Sequence, residues 1–187
     1  MTKTILTYDC ETTGKPEWKI PSDSPEQPHL VQLAAVLSNA ETGEEIQSIN
    51  VIIKPDGWEI PEEVTAVHGI TTEYALEHGI PEGMAVAMLH LMRGKAERVA
   101  YNKTFDQRII RIAMKRYMTE DVVEQWAEKI DHHCAMRMAQ KKFGGKNMKL
   151  AEAYMKVCGK ELVNAHSAMA DTLAAQEIYF SLKDEAE

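Results

Sequence analysis

A strand that carries two acids on one face constrains this chain more than any other feature. Thr4-Ile5-Leu6-Thr7 is apolar and β-branched and contains no Gly or Pro, which predicts a strand. It continues into Tyr8-Asp9-Cys10-Glu11 and is ended by Thr12-Thr13-Gly14. Side chains alternate faces along a strand, so Asp9 and Glu11 point the same way with Cα atoms roughly 6–7 Å apart, while Tyr8 and Cys10 point into the core. Two carboxylates so placed repel each other and cost free energy to desolvate. Taken alone, the pair is best read as a solvated strand end. A shared divalent cation becomes the better reading only if the rest of the chain supplies more ligands.

The 187 residues predict one domain, residues 1–187, with a core large enough to need no staples. Three cysteines, Cys10, Cys134 and Cys158, are an odd number with no C-x-x-C pair. They predict reduced thiols and a cytoplasmic setting rather than a disulfide framework. No signal peptide and no membrane-length apolar run is visible, so no membrane association is expected. The net charge of -8 excludes broad, non-specific adhesion to nucleic acid, which needs basic surface. It leaves room for an enzyme that grips a few nucleotides through metal ions.

After the first strand, Lys15 to His29 holds Pro16, Pro21, Pro25 and Pro28 and reads as a long loop. Trp18 within it is expected to pin the loop to the body; the other reading is a base-stacking residue at a cleft rim. Leu30 to Leu37 and Ile46 to Lys54 predict a hairpin around Glu41-Thr42-Gly43-Glu44, and with the first strand they make an antiparallel start. Short helices follow over Glu62 to His68, stopped by Gly69, and from a Thr71 or Thr72 cap to near Gly79. A third helix carries Met84, Met88, Leu91 and Met92, expected to be its core face. Arg98 to Tyr101 predicts a strand. Asn102 then caps a helix with the apolar stripe Phe105, Ile109 and Ile112, and Asp106 sits near its start, where the helix dipole favours the ionised form. Thr119 caps a helix carrying Val122, Val123, Trp126 and Ile130. Asp131 is expected to end a short strand before a helix closed by Gly144, and Asn147 to cap a helix over Met148 to Cys158. The order of elements predicts an α/β sandwich.

The last helix, from about Ser167, places Asp171, Ala175, Ile178 and Leu182 on one stripe. An acid on an otherwise apolar stripe calls for a partner, either an Arg or Lys or a bound ligand. His166 lies five residues earlier, about 140° around if both were helical. With Ser167 as N-cap, His166 stays in the preceding loop and can reach over the site that Asp171 faces. Its ordinary pKa near neutrality suits a general base. Asp9, Glu11, Asp106 and Asp171 thus stand at the ends of three elements that can converge. Four oxygen donors without a Cys/His tetrad suit Mg²⁺ or Mn²⁺ rather than structural zinc. Two such ions can clamp a phosphodiester, activate water and stabilise the leaving oxygen, with His166 taking the proton from the attacking water.

Three segments in order, Tyr8-Asp9-Cys10-Glu11-Thr12-Thr13-Gly14, Val99 to Asp106 and His166 to Thr172, resemble the three motifs of the DEDDh (DnaQ-like) 3′–5′ exonucleases. Ile60-Pro61 through Ala66-Val67-His68-Gly69-Ile70-Thr71 is similar to the family's segment between the first two. The resemblance spans nearly the whole chain. It implies a ribonuclease H-like α/β fold, with a five-stranded mixed sheet flanked by helices. It also implies two-metal removal of nucleoside 5′-monophosphates from a 3′ end. Asp9, Glu11, Asp106 and Asp171 would be metal ligands and His166 the base, where a Tyr would mark the sister class. Thr12, Thr13 and His68-Gly69-Ile70 would line the pocket for the terminal nucleotide, and Asn102 and Phe105 would support the second motif. The expected substrate is single-stranded DNA or frayed 3′ ends. An exoribonuclease on the same site, or a non-catalytic nucleic-acid-binding module, is the alternative. A homodimer and a polymerase association both stay open. The Pro-rich stretch Lys15–His29 is long for the family.

Three further features are not assigned a role. Asp131-His132-His133-Cys134 holds zinc-type donors, but consecutive donors point in different directions. The basic run Lys141–Lys149 reads as a solvated turn or a phosphate contact. Arg108, Arg111, Lys115 and Arg116 share a helix with Asp106 and are expected either to steer substrate or to solvate the outer face.

Overall fold

In the computed structural model, which describes residues 3–146 and 148–185, the centre is a five-stranded sheet of order β3-β2-β1-β4-β5. β1 spans Thr4–Thr12, β2 Leu30–Asn39, β3 Glu45–Ile52, β4 Glu97–Ala100 and β5 His132–Cys134. β2 pairs antiparallel with both β1 and β3, whereas β4 runs parallel to β1 and β5 parallel to β4. The antiparallel half follows from the short turn at Gly43, and the parallel half needs the helical crossovers that separate β1 from β4 and β4 from β5.

The helices are α1 (Glu62–His68), α2 (Thr72–His78), α3 (Glu82–Arg93), α4 (Lys103–Tyr117), α5 (Glu120–Ala127), α6 (Ala135–Phe143), α7 (Leu150–Cys158) and α8 (Ala168–Leu182). They cover the two faces of the sheet as the alternation along β1 dictates. Leu6, Tyr8 and Cys10 pack with Val86, Leu89, Ile109, Ile110 and Trp126 from α3, α4 and α5. Ile5 on the opposite face packs with Val99, Ala175, Ile178 and Leu182, on the side of α6, α7 and α8. Trp126 is fully buried, edge-on to Tyr8 with ring centroids 5.2 Å apart.

Several local expectations shift. The core face of α3 is Ala85, Val86, Leu89 and Met92, while Met84 and Leu91 (79% exposed) face outward. Of the expected face, Met92 is buried and Met88 packs against the core, while Ala85, Val86 and Leu89 complete it. α5 ends at Ala127, which leaves Ile130 outside it and 74% exposed. Asp131, at φ 53, precedes β5 rather than ending it. Asn102 and Thr119 occupy N-cap positions, but neither side chain makes a capping bond. Thr71 does cap, its hydroxyl accepting from the Tyr74 N–H at 3.1 Å. α7 begins at Leu150 with Lys149 as N-cap; Asn147 lies outside the described residues. No helix among the described residues is long and apolar enough to cross a membrane.

The donors of Asp131-His132-His133-Cys134, to which the sequence assigns no metal role, disperse as strand geometry requires. His132 is buried and shares a 3.1 Å hydrogen bond with the Tyr8 hydroxyl, His133 meets Glu97 at 2.9 Å, and the Cys134 thiol donates to the Tyr101 carbonyl.

Candidate active site

The site begins with a mismatch of strand lengths. β1 pairs with β4 only as far as Thr7–Val99, whereas its pairing with β2 continues to Thr12–Leu30. Beyond Thr7, the flank of β1 that β4 covered is open. The chain leaves β4 at Ala100 and turns at once into α4, so the first turn of that helix stands beside the stretch that holds Asp9 and Glu11. Ligands collect at the carboxyl ends of parallel strands for this reason: the elements that follow them diverge there.

Asp9 and Glu11 share the face of β1 against which α8 packs. Asp171, on the first turn and a half of α8, is only 9% exposed and comes from above that face. Asp106 arrives from the other side, on α4, and is buried with its carboxylate accepting from the Cys10 thiol at 3.4 Å. Cys10 therefore does more than fill core: it orients the acid that reaches around the strand end. Sequence reasoning put Cys10 in the core and missed this bond, because thiol donors carry no positional signature.

Ser167 is the N-cap of α8 and His166 lies just before the helix, exposed, with a left-handed φ of 67. Few non-glycine residues adopt such backbone, and those that do cluster at functional sites. The His166 N–H donates to Asp171 Oδ2 at 3.3 Å, so the acid holds the loop that carries the imidazole. Ligand atoms of Glu11, His166 and Asp171 lie within 4.8 Å of one another. A second residue missed in the sequence is Gln32, opposite Glu11 on β2 and buried. Its side-chain oxygen accepts from the Ala168 N–H at 3.1 Å and its amide donates to Asn50 at 2.8 Å, which seats the N-terminus of α8 on the sheet.

The electrostatics follow from this crowding. Burial, then the charges of Asp106, Asp171 and Glu11, push the Asp9 carboxyl well above its usual range. Burial, with Asp171 and Asp106, raises Glu11 to about 7. Asp106 also rises to about 7 through burial, although the Cys10 thiol and backbone N–H groups favour its charged form. Burial raises Asp171, opposed by the His166 N–H. None of the four carboxylates forms an ion pair with a Lys, Arg or His among the described residues. Asp171 Oδ1 is buried without any hydrogen-bond partner. Four mutually repelling acids and an orphaned oxygen fit hard divalent cations, which supply the missing positive charge.

The remaining expected residues flank this cluster. Thr12 donates to the Gly14 carbonyl at 2.7 Å and Thr13 accepts from the His29 N–H at 3.0 Å, so both hydroxyls shape the turn that leaves β1. Gly69, at φ 76, ends α1 and lets the Ile70 N–H donate to His68 Nδ1 at 3.1 Å. That bond fixes the tautomer with the hydrogen on Nε2, a buried donor with no partner. Burial lowers the His68 pKa, as does the charge of His166, which places the two rings in each other's field. Ile70 is buried with Val31 and Ile60. Phe105 packs on the core beside Ile109, and Asn102 is exposed at the start of α4.

Arg108, Arg111, Lys115 and Arg116 on α4 neither steer freely nor merely solvate. Arg108 donates to the Ile20 carbonyl at 2.8 Å, Arg111 to the Ser22 hydroxyl at 2.9 Å and Arg116 to the Gln27 carbonyl at 2.6 Å. Three of them clamp the Pro-rich loop, and Lys115 pairs with Glu120. Trp18 is not the expected pin, since it is 56% exposed.

The exonuclease family model RNase_T matches residues 6–179. No curated protein sequence matches the chain. Among solved structures, E. coli exonuclease I in complex with a dT13 oligonucleotide superposes with a TM-score of 0.75 at 22% identity, covering 98% of this chain and 42% of that one. The zinc-bound form of the E. coli exonuclease I–single-stranded DNA complex gives a TM-score of 0.75 at 24% identity, covering 100% and 41%. The chain thus spans less than half the length of these proteins, and the likeness is one of fold.

Proposed function

Because this chain belongs to the RNase_T exonuclease family, of the DEDDh class, we propose that it is a two-metal-dependent 3′–5′ exonuclease. Its substrate is single-stranded DNA or a frayed duplex end, and its products are nucleoside 5′-monophosphates. We read residues 1–187 as one exonuclease domain. The observation that carries this reading is the convergence of Asp9, Glu11, Asp106 and Asp171 from β1, α4 and α8, with none of them paired to a Lys or Arg among the described residues.

Asp9, Glu11, Asp106 and Asp171 would hold the two ions, Mg²⁺ or Mn²⁺. When bound, such ions activate a water and stabilise the oxygen that leaves the phosphorus. His166 accepts the proton of the attacking water; its exposed ring lies within 4.8 Å of the Glu11 and Asp171 oxygens, and it can turn toward solvent to release that proton. Asp171 holds the His166 backbone, so one side chain serves both as ligand and as the positioner of the base. The turn at Thr12-Thr13 and the loop His68-Gly69-Ile70 line the place of the terminal nucleotide. His68 Nε2–H, a buried donor with no protein partner, belongs to that loop. Phe105 packs on the core, and the Asn102 backbone carbonyl accepts from the Phe105 and Asp106 N–H groups, which seats Asp106 at the start of α4.

The test is a timed digestion of 5′-labelled single-stranded DNA and RNA of the same sequence, in Mg²⁺, in Mn²⁺ and in EDTA. A ladder that shortens from the 3′ end and vanishes in EDTA supports the reading, and DNA should be the faster substrate. Faster RNA would assign the site to RNA trimming. No ladder on either strand would leave a binding module.

A further inference from the structure

The Pro-rich loop presents an aromatic side chain that the reaction does not use. Among the three tryptophans, Trp126 is buried in the core and Trp58 stacks on His29 with ring centroids 4.5 Å apart. Trp18 alone stands in solvent. An exposed indole on a disordered loop would say little, but this loop is built. Residues 15–28 are closed at their base, where the Thr13 N–H donates to the His29 carbonyl and the His29 N–H to the Thr13 hydroxyl, both at 3.0 Å. Gln27, 2% exposed, fills the middle, accepting from the Glu17 N–H at 3.0 Å and donating to the Glu17 carbonyl at 2.8 Å. Arg108, Arg111 and Arg116 tie the outside of the loop to α4. The residue next to Trp18 is thus held from both sides, and much of the ordering a ligand would otherwise impose is already in place.

The surroundings indicate what the indole receives. The Arg108 guanidinium carbon lies 5.8 Å from the Trp18 ring centroid. Lys15 and Lys19 flank Trp18, are exposed, and belong to no ion pair among the described residues. Glu17 lies between them with its carboxylate turned to the Lys19 backbone N–H at 3.2 Å, and Arg108 is the cation recorded against the π-face. A flat exposed aromatic surface with a guanidinium beside it and two unpaired lysines near it in the chain matches a nucleobase and its phosphates. The loop begins four residues after Glu11, and Arg108 lies two residues after Asp106 on α4, so the indole sits at the same end of the sheet as the acids. Two residues along a helix turn the side chain to the far side of α4 from Asp106, roughly 10–12 Å away across the helix.

We propose that Trp18, with Arg108, Lys15 and Lys19, is a stacking platform for a base of single-stranded nucleic acid a few nucleotides upstream of the 3′ end. The proposal rests on the exonuclease reading for the position of that end. Stacking on an indole tolerates any base and either sugar, so the platform contributes grip rather than a choice between DNA and RNA.

The experiment measures binding of 5′-fluorescein-labelled dT12 and dT3 in EDTA, where no hydrolysis occurs, to the full chain and to Trp18→Ala and Trp18→Phe. Thermal unfolding of each variant confirms an intact fold. The expected result is that Trp18→Ala weakens dT12 binding about tenfold, within the range of one aromatic stack, shrinks the advantage of dT12 over dT3, and that Trp18→Phe restores most of both. Equal dT12 affinity in Trp18→Ala and the unaltered chain overturns the proposal, as it would if the loop served a protein partner. A binding contrast without any digestion ladder in Mg²⁺ supports the platform while removing the exonuclease reading.

Discussion

At the scale of single residues, the site places opposing demands on Asp106. Its carboxylate is needed beside Asp9 and Asp171, yet burial and the charge of Asp171 raise its pKa to about 7. Asp106→Asn keeps the shape and removes one of the repelling charges, and the amide can still accept from Cys10. The expected outcome is a protein that melts at a higher temperature without metal and has lost turnover, the trade between stability and activity found at charged sites. Differential scanning calorimetry in EDTA beside a nuclease assay checks both halves. His166 asks a different question, because its ring lies close enough to Glu11 and Asp171 to be a ligand itself. As a base, its loss in His166→Ala should lower turnover by roughly 10²–10⁴-fold and leave Mn²⁺ affinity unchanged in calorimetric titration. A parallel fall in Mn²⁺ affinity would make it a ligand instead.

At the scale of elements, the seat of α8 decides where Asp171 and His166 stand. Gln32 joins that helix to β2 and β3 through Ala168 and Asn50. Gln32→Leu leaves the buried Ala168 N–H unpaired, which should cost roughly 1–3 kcal/mol of stability. Turnover should fall beyond what this explains, because the acid and the base ride on the displaced helix end. Chemical denaturation and kcat on one preparation separate the two effects. Much of this layer was legible in the sequence. The period-2 pattern of β1, the Gly43 turn and the stripe Asp171, Ala175, Ile178 and Leu182 each have a local cause, and each holds in the fold. The α3 stripe held at Met88 and Met92 and failed at Met84 and Leu91, which are as apolar as Val86 and Leu89, because periodicity does not tell which side the sheet takes. The clamp of α4 on the Pro-rich loop was illegible for another reason: arginines that bond two backbone carbonyls and a serine hydroxyl 88 and 89 positions away leave no spacing to read.

At the scale of the whole molecule, the acidic cluster ties stability to pH and to metal. Glu11 and Asp106 titrate near 7 in the folded chain, above their ordinary 4.5 and 3.8. Between those values the folded state binds more protons than the unfolded state, so unfolding free energy falls as pH rises through this window. The metal-free protein should therefore melt at a lower temperature at pH 8 than at pH 5.5. Cations compete with those protons, so Mg²⁺ should raise the melting temperature more at pH 8 than at pH 5.5. Thermal scans at both values with and without Mg²⁺ check the sign. A metal-free protein that gains stability across the same window would show that the four acids do not share one buried field.

The central claim concerns which nucleotide leaves first and in what form. A twelve-nucleotide strand of eleven thymidylates with one 3′-terminal deoxyadenylate, digested in Mg²⁺ and sampled early by mass spectrometry, tests it most directly. The predicted first product is deoxyadenosine 5′-monophosphate, with thymidine 5′-monophosphate appearing later, and neither product forming in EDTA or with Asp106→Asn. Thymidylate first, a nucleoside 3′-phosphate, internal fragments, or an undiminished rate in Asp106→Asn would contradict the claim.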